Sequence, residues 1–350
     1  MTAEPPAPRA VAAPVEHVVA RWLARVAALL IAAITLLIGV DILTRALLAR
    51  PLRGVAELVT LAMPACVFLV LPLAWQRGAL VRAGRVAAHG AGARDVLGAG
   101  VALVVTLAIA LVTLPLAWRA WREGEFLGVA GDFTVPSWPA LGAVVLGSTA
   151  LALTIARGAR AQLAVVWRRA PARLLLSVVV AASLVLPCVV IESRAGVGAL
   201  SVALLLLLIA AGMPVAFALL AVAALGIAAL KGSVVIAANA LGLAATGAVS
   251  SYVFGAVPLF VLLGLVMGRA DIGRDALLAA HWLLRGVAGG LGVATVVANA
   301  LFAAMTGISI ASAAIFGKVA VPPLIEQGYP PRFAVGLVAG SSVLGMLIPP

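Results

Sequence analysis

Charged side chains are scarce in this chain of 350 residues. Asp, Glu, Lys and Arg make up 10% of it, whereas they make up about 25% of soluble globular domains. Hydrophobic residues make up 65%, and the mean hydropathy is +1.23. The polar–apolar alternation of a membrane-spanning β-strand is absent. This composition excludes a soluble domain and predicts an all-α polytopic membrane protein.

Residue types that carry catalysis or bind metals are equally rare. Cys66 and Cys188 both lie in apolar runs, which predicts two buried thiols and no disulfide framework or metal centre. The histidines His17, His89 and His281 are far apart in the chain, beside loops or termini. There is no nucleophile–base pair and no P-loop. The sequence therefore predicts a protein that is not an enzyme and has no cofactor.

Acidic residues number only 12 against 24 basic ones, for a net charge of +12. The arginines do not form one continuous patch; they fill short loops between apolar runs. That distribution is typical of charges that set membrane topology, and it argues against nucleic-acid binding. Most basic residues fall in the N-terminal tail and in every second loop, which predicts a cytoplasmic N-terminus. The same loops are suited to contact with anionic membrane lipids.

The first half of the chain contains long apolar runs. Residues 1–17 are rich in Pro and Ala and are predicted to form a disordered tail. The runs predict membrane helices at 18–48, 55–76, 96–118, 139–155 (continuing as a helix to 167) and 174–190. Asp41 and Arg45 are spaced i,i+4, so they either pair with each other or lie separately among lipid headgroups.

Beyond residue 194 the runs become shorter and are interrupted by glycine. Apolar runs at 197–211, 215–230, 234–249 and 254–267 precede an amphipathic charged segment, 269–285, predicted to lie along the membrane surface. Residues 321–332 are predicted to form a Pro-rich loop. A last apolar run ends in the sequence GMLIPP, at 345–350, which is predicted to form a second break, in a discontinuous helix, with its carbonyls turned inward.

Residues 289–317 are apolar but are interrupted in the middle by Thr306, Gly307, Ser309 and Ser312. Each half is too short to cross a hydrocarbon core that needs about 20 helical residues. This pattern predicts a re-entrant helical hairpin with a polar tip, of the kind that holds ions and substrate in secondary transporters. The alternative is an ordinary membrane helix packed through small residues. Basic residues on both flanks favour re-entry.

Several blocks in the second half together resemble the large (M-type) permease subunit of tripartite ATP-independent periplasmic (TRAP) transporters. They are GMPVAFAL at 212–219, VPLFVLLG at 257–264, FAAMTG at 302–307, QGY at 327–329 and LGMLIPP at 344–350. The resemblance implies that residues 195–350 are the N-terminal part of a large permease domain. It also implies the first half of an inverted-repeat, elevator-type transporter.

Residues 18–170 resemble the small (Q-type) subunit of the same family, a four-helix protein. The similarity rests on GVAEL at 54–58, VFL at 67–69 and the loop from Arg77; Leu80 and Gly84 replace a His and an Asp typical of that loop. A fused chain needs one extra crossing between the two parts, and residues 171–194 are predicted to supply this linking helix.

The chain departs from the family pattern in two places. The hairpin tip typically reads SGSS in the family, whereas here it reads Thr306-Gly307-Ile308-Ser309, so Ile308 supplies no hydroxyl. The family also continues well beyond the position of Pro350. The second hairpin is therefore expected in a missing C-terminal half of the large subunit, which would be a partner of this part.

The resemblance implies sodium-coupled uptake of carboxylates, such as dicarboxylates or sugar acids, across the bacterial inner membrane. A periplasmic substrate-binding protein would deliver the substrate, and sodium would be the coupling ion. The predicted substrate- and ion-binding residues are Asn299, Thr306, Gly307, Ser309, Ser312, Gly345, Pro349 and Pro350. Among them, Thr306, Ser309 and Gly345 are predicted sodium ligands.

The sequence leaves alternatives open for residues and for function. Asn299 is either a ligand contact or an interhelical hydrogen-bonding residue, and Ser341 and Ser342 either line the site or allow close packing. The chain could instead be a truncated membrane scaffold without transport activity, or the permease subunit of an ATP-driven importer with 269–285 as its coupling helix.

Overall fold

We describe a computed structural model, which covers residues 14–80, 93–129, 133–169, 193–210, 212–249, 256–307 and 309–348. Two compact units divide the chain: Met1–Tyr252 and Val253–Pro350. The predicted linking helix at 174–190, the tail at 1–13, and Pro349 and Pro350 lie outside the described residues. The predicted boundary between the small and large permease domains, at residue 194, stays a prediction.

The first unit contains seven helices and one β-hairpin among the described residues. They are α1 (Pro14–Leu48), α2 (Val55–Arg77), α3 (Ala93–Glu123), β1 (Phe126–Val129), β2 (Phe133–Pro136), α4 (Trp138–Arg169), α5 (Arg194–Ala210), α6 (Val215–Lys231) and α7 (Val234–Val249). Helix α2 packs on α1 and α4, and α3 packs on α4. Helix α3 also contacts α6, and α2 also contacts α7.

Within the described part of this unit, four helices are long and apolar enough to cross a membrane: His17–Leu48, Val55–Arg77, Val96–Glu123 and Trp138–Ala164. They coincide with the first four predicted spans. Together with the family matches reported below, they identify a multi-pass membrane protein. Helix α2 continues through Pro64 and Pro72, which a membrane helix tolerates when its neighbours satisfy the freed carbonyls. Cys66 is buried within it.

The start of α1 and the loop after α3 differ from the prediction. Helix α1 begins at Pro14, so residues 14–17 belong to the helix and not to the tail; a proline fits there because its φ is already helical and its missing N–H is not needed. After α3, between the third and fourth predicted spans, β1 and β2 pair in antiparallel register, with Leu127 opposite Val135. This hairpin is an exception to the all-α prediction.

Asp41 and Arg45 form an ion pair, with Arg45 Nη2 2.7 Å from Asp41 Oδ2. The sequence allowed either this pair or separate contacts of the two side chains with lipid headgroups, and the structure shows the pair. The Asp41 side chain is fully buried, and its Oδ1 accepts the Leu52 N–H at 2.8 Å. One carboxylate therefore joins the end of α1 to the turn that leads into α2.

The second unit contains six helices among the described residues. They are α8 (Ala256–Arg269), α9 (Ile272–Leu284), α10 (Gly290–Thr306), α11 (Ser309–Val319), α12 (Val321–Glu326) and α13 (Pro331–Leu347). Helix α12 occupies part of the predicted Pro-rich loop: Pro322 and Pro323 fall in its first turn, where a missing N–H is not a defect. The core contains Phe302 and Phe316, whose rings lie 5.7 Å apart, with Leu277, Leu324 and Val338 around them.

Candidate functional site

The apolar stretch at 289–317 is broken, as predicted. Helix α10 ends at Thr306, Gly307 has a left-handed backbone with φ of 65°, and α11 begins at Ser309. The Gly307 N–H donates to the Ala303 carbonyl at 2.8 Å, which closes the last turn of α10. This left-handed conformation is unfavourable for residues that carry a Cβ, so glycine suits the break.

The two halves turn toward each other at this break. In one straight helix, Asn299 and Ser312 would be about 20 Å apart along the axis. Here the Ser312 hydroxyl donates to the Asn299 side-chain oxygen, and the Phe302 and Phe316 rings meet edge to face. The structure thus shows a sharp helix–turn–helix. Its re-entry from one side of a membrane stays a prediction.

Helix α13 runs beside α10 in the same direction. Asn299 on α10 contacts Val338 and Ser341 on α13, and further along both helices Ala303 approaches Gly345 so closely that a Cβ on Gly345 would overlap it. The partner numbers rise together on the two helices, so the helices are parallel. Helix α10 then ends three residues after Ala303, and α13 ends two residues after Gly345.

Two helix C-termini and one helix N-terminus therefore lie at the same end of this unit. Each C-terminus carries the equivalent of about half a negative charge, and the start of α11 carries the opposite partial charge. No ionisable side chain occurs among Thr306, Gly307, Ser309, Gly345 and Ile348. We call the place where these three helix ends meet, at Thr306, Ser309 and Leu347, the junction. Its electrostatic potential comes from backbone dipoles and hydroxyl groups.

Backbone carbonyls at the end of α13 are short of donors. The Leu344 carbonyl accepts the Ile348 N–H at 3.2 Å. The next carbonyl, that of Gly345, would receive its helical hydrogen bond from residue 349, which is a proline and has no N–H. Gly345 lies inside α13 and not in a break, so the predicted interruption begins at Ile348. Its carbonyl oxygen still suits a hard cation.

The predicted hydroxyl residues lie in two different places. Thr306 is fully buried and donates to the Phe302 carbonyl at 3.0 Å, which leaves the lone pairs of its own oxygen free to accept. Ser309 is partly buried at the first position of α11. Ser312 is fully buried one turn into α11, and its hydroxyl is directed at Asn299. Thr306 and Ser309 thus lie at the junction, whereas Ser312 belongs to the polar contacts behind it.

Asn299 forms the interhelical hydrogen bonds that the sequence left open as an alternative to ligand binding. Its amide nitrogen donates to the Val338 carbonyl at 2.8 Å and to the Ser341 hydroxyl at 2.6 Å. Its side-chain oxygen accepts from Ser312. Ser342, next to Ser341, donates to the Ala339 carbonyl of its own helix at 2.8 Å. Ligand contact by Asn299 stays a prediction.

Helix α8 supplies two residues that the sequence did not place in the site. The Phe260 ring faces Gly307, and Gly264 faces the methyl group of Thr306. Both belong to the block at 257–264 that carried the family resemblance, so their position in that block was the available signal. Within the described residues, no cluster of His, Cys, Asp or Glu is arranged to hold a metal ion.

The comparison with protein families decides the identity of this part of the chain. The model of the "Tripartite ATP-independent periplasmic transporter, DctM component" matches residues 202–350. Residues 202–350 belong to the DctM family. This DctM segment includes the junction and all the helices around it.

Individual relatives agree. The C4-dicarboxylate TRAP transporter large permease protein DctM of Pseudomonas aeruginosa is 37% identical over 99 residues, which are 28% of this chain and 23% of that protein. The sialic acid TRAP transporter large permease protein SiaM of Vibrio cholerae is 35% identical over 148 residues, 41% of this chain and 33% of that protein.

A third relative has a name that combines the letters M and Q. The isethionate TRAP transporter permease protein DctMQ of Oleidesulfovibrio alaskensis is 31% identical over 149 residues, which are 41% of this chain and 22% of that protein. In these three comparisons the chain covers between 22% and 33% of the relatives' length. The three relatives are named as transporter permeases, not as enzymes.

Proposed function

We propose that this chain is the membrane permease component of a sodium-coupled secondary transporter that imports a carboxylate delivered by a periplasmic binding protein. The supporting observation is the junction where α10 and α13 end side by side. Two partial negative charges, the Thr306 hydroxyl and the donor-poor Gly345 carbonyl suit a small hard cation.

The same junction offers a place for an anion. Helix α11 begins there at Ser309, and the first N–H groups of a helix have no partners within it. A carboxylate is stabilised at such a terminus by those N–H groups and by the helix dipole. A cation and a carboxylate bound at neighbouring helix ends would attract each other, which is the physical basis we propose for coupling.

In this proposal the DctM segment carries substrate by an elevator motion, while the helices that resemble the small subunit remain fixed in the bacterial inner membrane, with the N-terminus in the cytoplasm. The relatives' names mention C4-dicarboxylate, sialic acid and isethionate. C4-dicarboxylate and sialic acid are carboxylates and are therefore the first substrates to test, with isethionate, a sulfonate, as the comparison anion.

The proposal is tested in right-side-out membrane vesicles from cells that express the chain, the expected C-terminal half of the large subunit, and a periplasmic binding protein from the same genome. Uptake of radiolabelled succinate, sialic acid and isethionate is measured under an inward sodium gradient, under a potassium gradient, and with ATP loaded inside. We expect uptake of succinate or sialic acid with sodium alone and no response to ATP, whereas uptake of isethionate alone contradicts the carboxylate part of the proposal. Uptake that needs ATP, or that proceeds equally with potassium, contradicts the proposal.

A further inference from the structure

The polar contacts behind the junction point to a role for Asn299 that does not require it to touch ligand. We infer that Asn299, through Ser341 and Ser312, is a positioning residue that fixes the distance between the ends of α10 and α13 and thereby sets the affinity of the junction for sodium. The claim about sodium affinity rests on the proposed function. The claim about the distance between α10 and α13 rests on the geometry alone.

The first step of the argument is that the Asn299 side chain bonds to both neighbouring helices at once. Its nitrogen donates twice to α13, to Val338 O and Ser341 Oγ, and its oxygen accepts from Ser312 on α11. An amide carries two N–H donors and an acceptor oxygen on one rigid plane. Serine or threonine has a single donor and aspartate has none when ionised, so the amide chemistry fits this position.

The second step is burial. Asn299 and Ser312 are fully buried and Ser341 is 3% exposed, so water does not compete for these hydrogen bonds. In such surroundings an unsatisfied polar group is strongly unfavourable. The three side chains are therefore held in one arrangement, and the helices that carry them are held with them.

The third step is the location of the contacts relative to the two helix ends. Asn299 precedes Ala303 by one helical turn, and Ser341 precedes Gly345 by one turn. The Asn299–Ser341 hydrogen bond and the Ala303–Gly345 contact thus form two successive rungs between α10 and α13. The carbonyls at the junction lie immediately beyond the second rung, so loosening the first changes the spacing of the ends.

The chain provides a matched control for the loss of a buried hydroxyl. Thr295 lies on α10, one turn before Asn299, and is fully buried. Its hydroxyl donates only to the Leu291 carbonyl of its own helix among the contacts of the described residues, at 2.8 Å. Thr295→Val therefore removes a buried hydrogen bond on α10 without removing a bond between helices.

The test compares Ser341→Ala with Thr295→Val, because Ser341 accepts the Asn299 hydrogen bond and a distance measured without sodium separates a positioning role from the alternative that Ser341 lines the site. Cys66 and Cys188 are first replaced by alanine, and spin labels are attached to cysteines introduced at the exposed positions Leu301 and Val343. Dipolar EPR then reports the α10–α13 distance without sodium. We expect the distance distribution to broaden by about twofold in Ser341→Ala and to stay unchanged in Thr295→Val. Equal distributions in both variants overturn the inference.

Sodium affinity is measured separately on the same background. A fluorophore on a cysteine at Met305, which is exposed next to the junction, is titrated with NaCl against choline chloride. We expect Ser341→Ala to weaken sodium binding about tenfold, a loss of about 1.4 kcal/mol, and Thr295→Val to leave it unchanged. Equal weakening in both variants assigns the effect to general stability and overturns the inference. A labelled native protein with no sodium response contradicts the proposed function instead, and the EPR comparison then decides the positioning role alone.

Discussion

At the scale of single residues, two glycines shape the junction for different physical reasons. Gly307 is needed for its backbone, since φ of 65° disfavours any residue that carries a Cβ. Gly345 has an ordinary helical backbone, but a Cβ there would overlap Ala303 on the neighbouring helix. The first glycine allows the chain to turn, and the second allows two helices to pack closely enough to end together.

Gly307→Ala should destabilise the second unit by about 1 kcal/mol, because alanine pays a steric penalty in the left-handed region. Gly307→Asn should lose less, since asparagine tolerates that region better. Gly317→Ala is the control, because Gly317 lies in α11 with nothing within 4 Å of an added Cβ. Thermal unfolding in detergent measures all three. A lower midpoint for Gly317→Ala than for Gly307→Ala contradicts the argument.

Gly345→Ala should force α10 and α13 apart and lower stability by about 2 kcal/mol, in the range observed for overpacked cores. Gly340→Ala, on the same helix with open space around it, should instead gain up to about 1 kcal/mol from helix propensity. The midpoints of thermal unfolding should therefore move in opposite directions. A stabilising Gly345→Ala would show that the two helices are not in tight contact there.

At the scale of secondary-structure elements, the sequence predicted what depends on local patterns. The break at Gly307 was predictable because a glycine and hydroxyl residues separate two short apolar halves. The β1–β2 hairpin was missed although a signal exists: Gly131-Asp132 lies between the short runs FLGV and FTVP, a turn pair between strand-forming residues. Four-residue strands give too little alternation to stand out beside membrane helices.

Contacts between residues far apart in the chain could not be predicted from the sequence. Asn299 and Ser341 are 42 residues apart, and nothing in either local pattern shows that α10 and α13 run parallel and pack through Ala303 and Gly345. The hydrogen-bond alternative for Asn299 could be stated, but its partners could not. Likewise, the burial of Asp41 follows from packing in the first unit and not from the apolar run that contains it.

The turn between α1 and α2 depends on one carboxylate, which gives a prediction at this scale. Asp41→Ala removes the acceptor for the Leu52 N–H and the partner of Arg45, and should lower stability by about 2 kcal/mol. Asp41→Asn keeps an oxygen that accepts from Leu52 and should lose about half as much. Thermal unfolding compares them with Thr35→Val, whose hydroxyl bonds to the Ile31 carbonyl of its own helix. If Thr35→Val matches Asp41→Ala, the turn does not depend on Asp41.

At the scale of the whole molecule, the two units differ in the length of their longest described helices. The four helices long enough to cross a membrane all lie in the first unit, among the residues the structure describes. In the second unit the longest helices have 17 residues and include α10 and α13, which meet at the polar junction. Unwound backbone at membrane depth requires protein or a watery cavity around it, so under the proposed function the second unit is where the sodium ion would be received.

Re-entry at 289–317 makes a prediction about sidedness that a full crossing does not. Arg285 and Lys318 flank this stretch and are both exposed. With the two native cysteines replaced, Arg285→Cys and Lys318→Cys should both react with a membrane-impermeant maleimide only in inside-out vesicles. The control Glu125→Cys, in the exposed segment between α3 and β1, should react only in right-side-out vesicles. Labelling of Arg285→Cys and Lys318→Cys from opposite sides would show that the broken helix crosses the membrane, because an odd number of crossings would then separate its two ends.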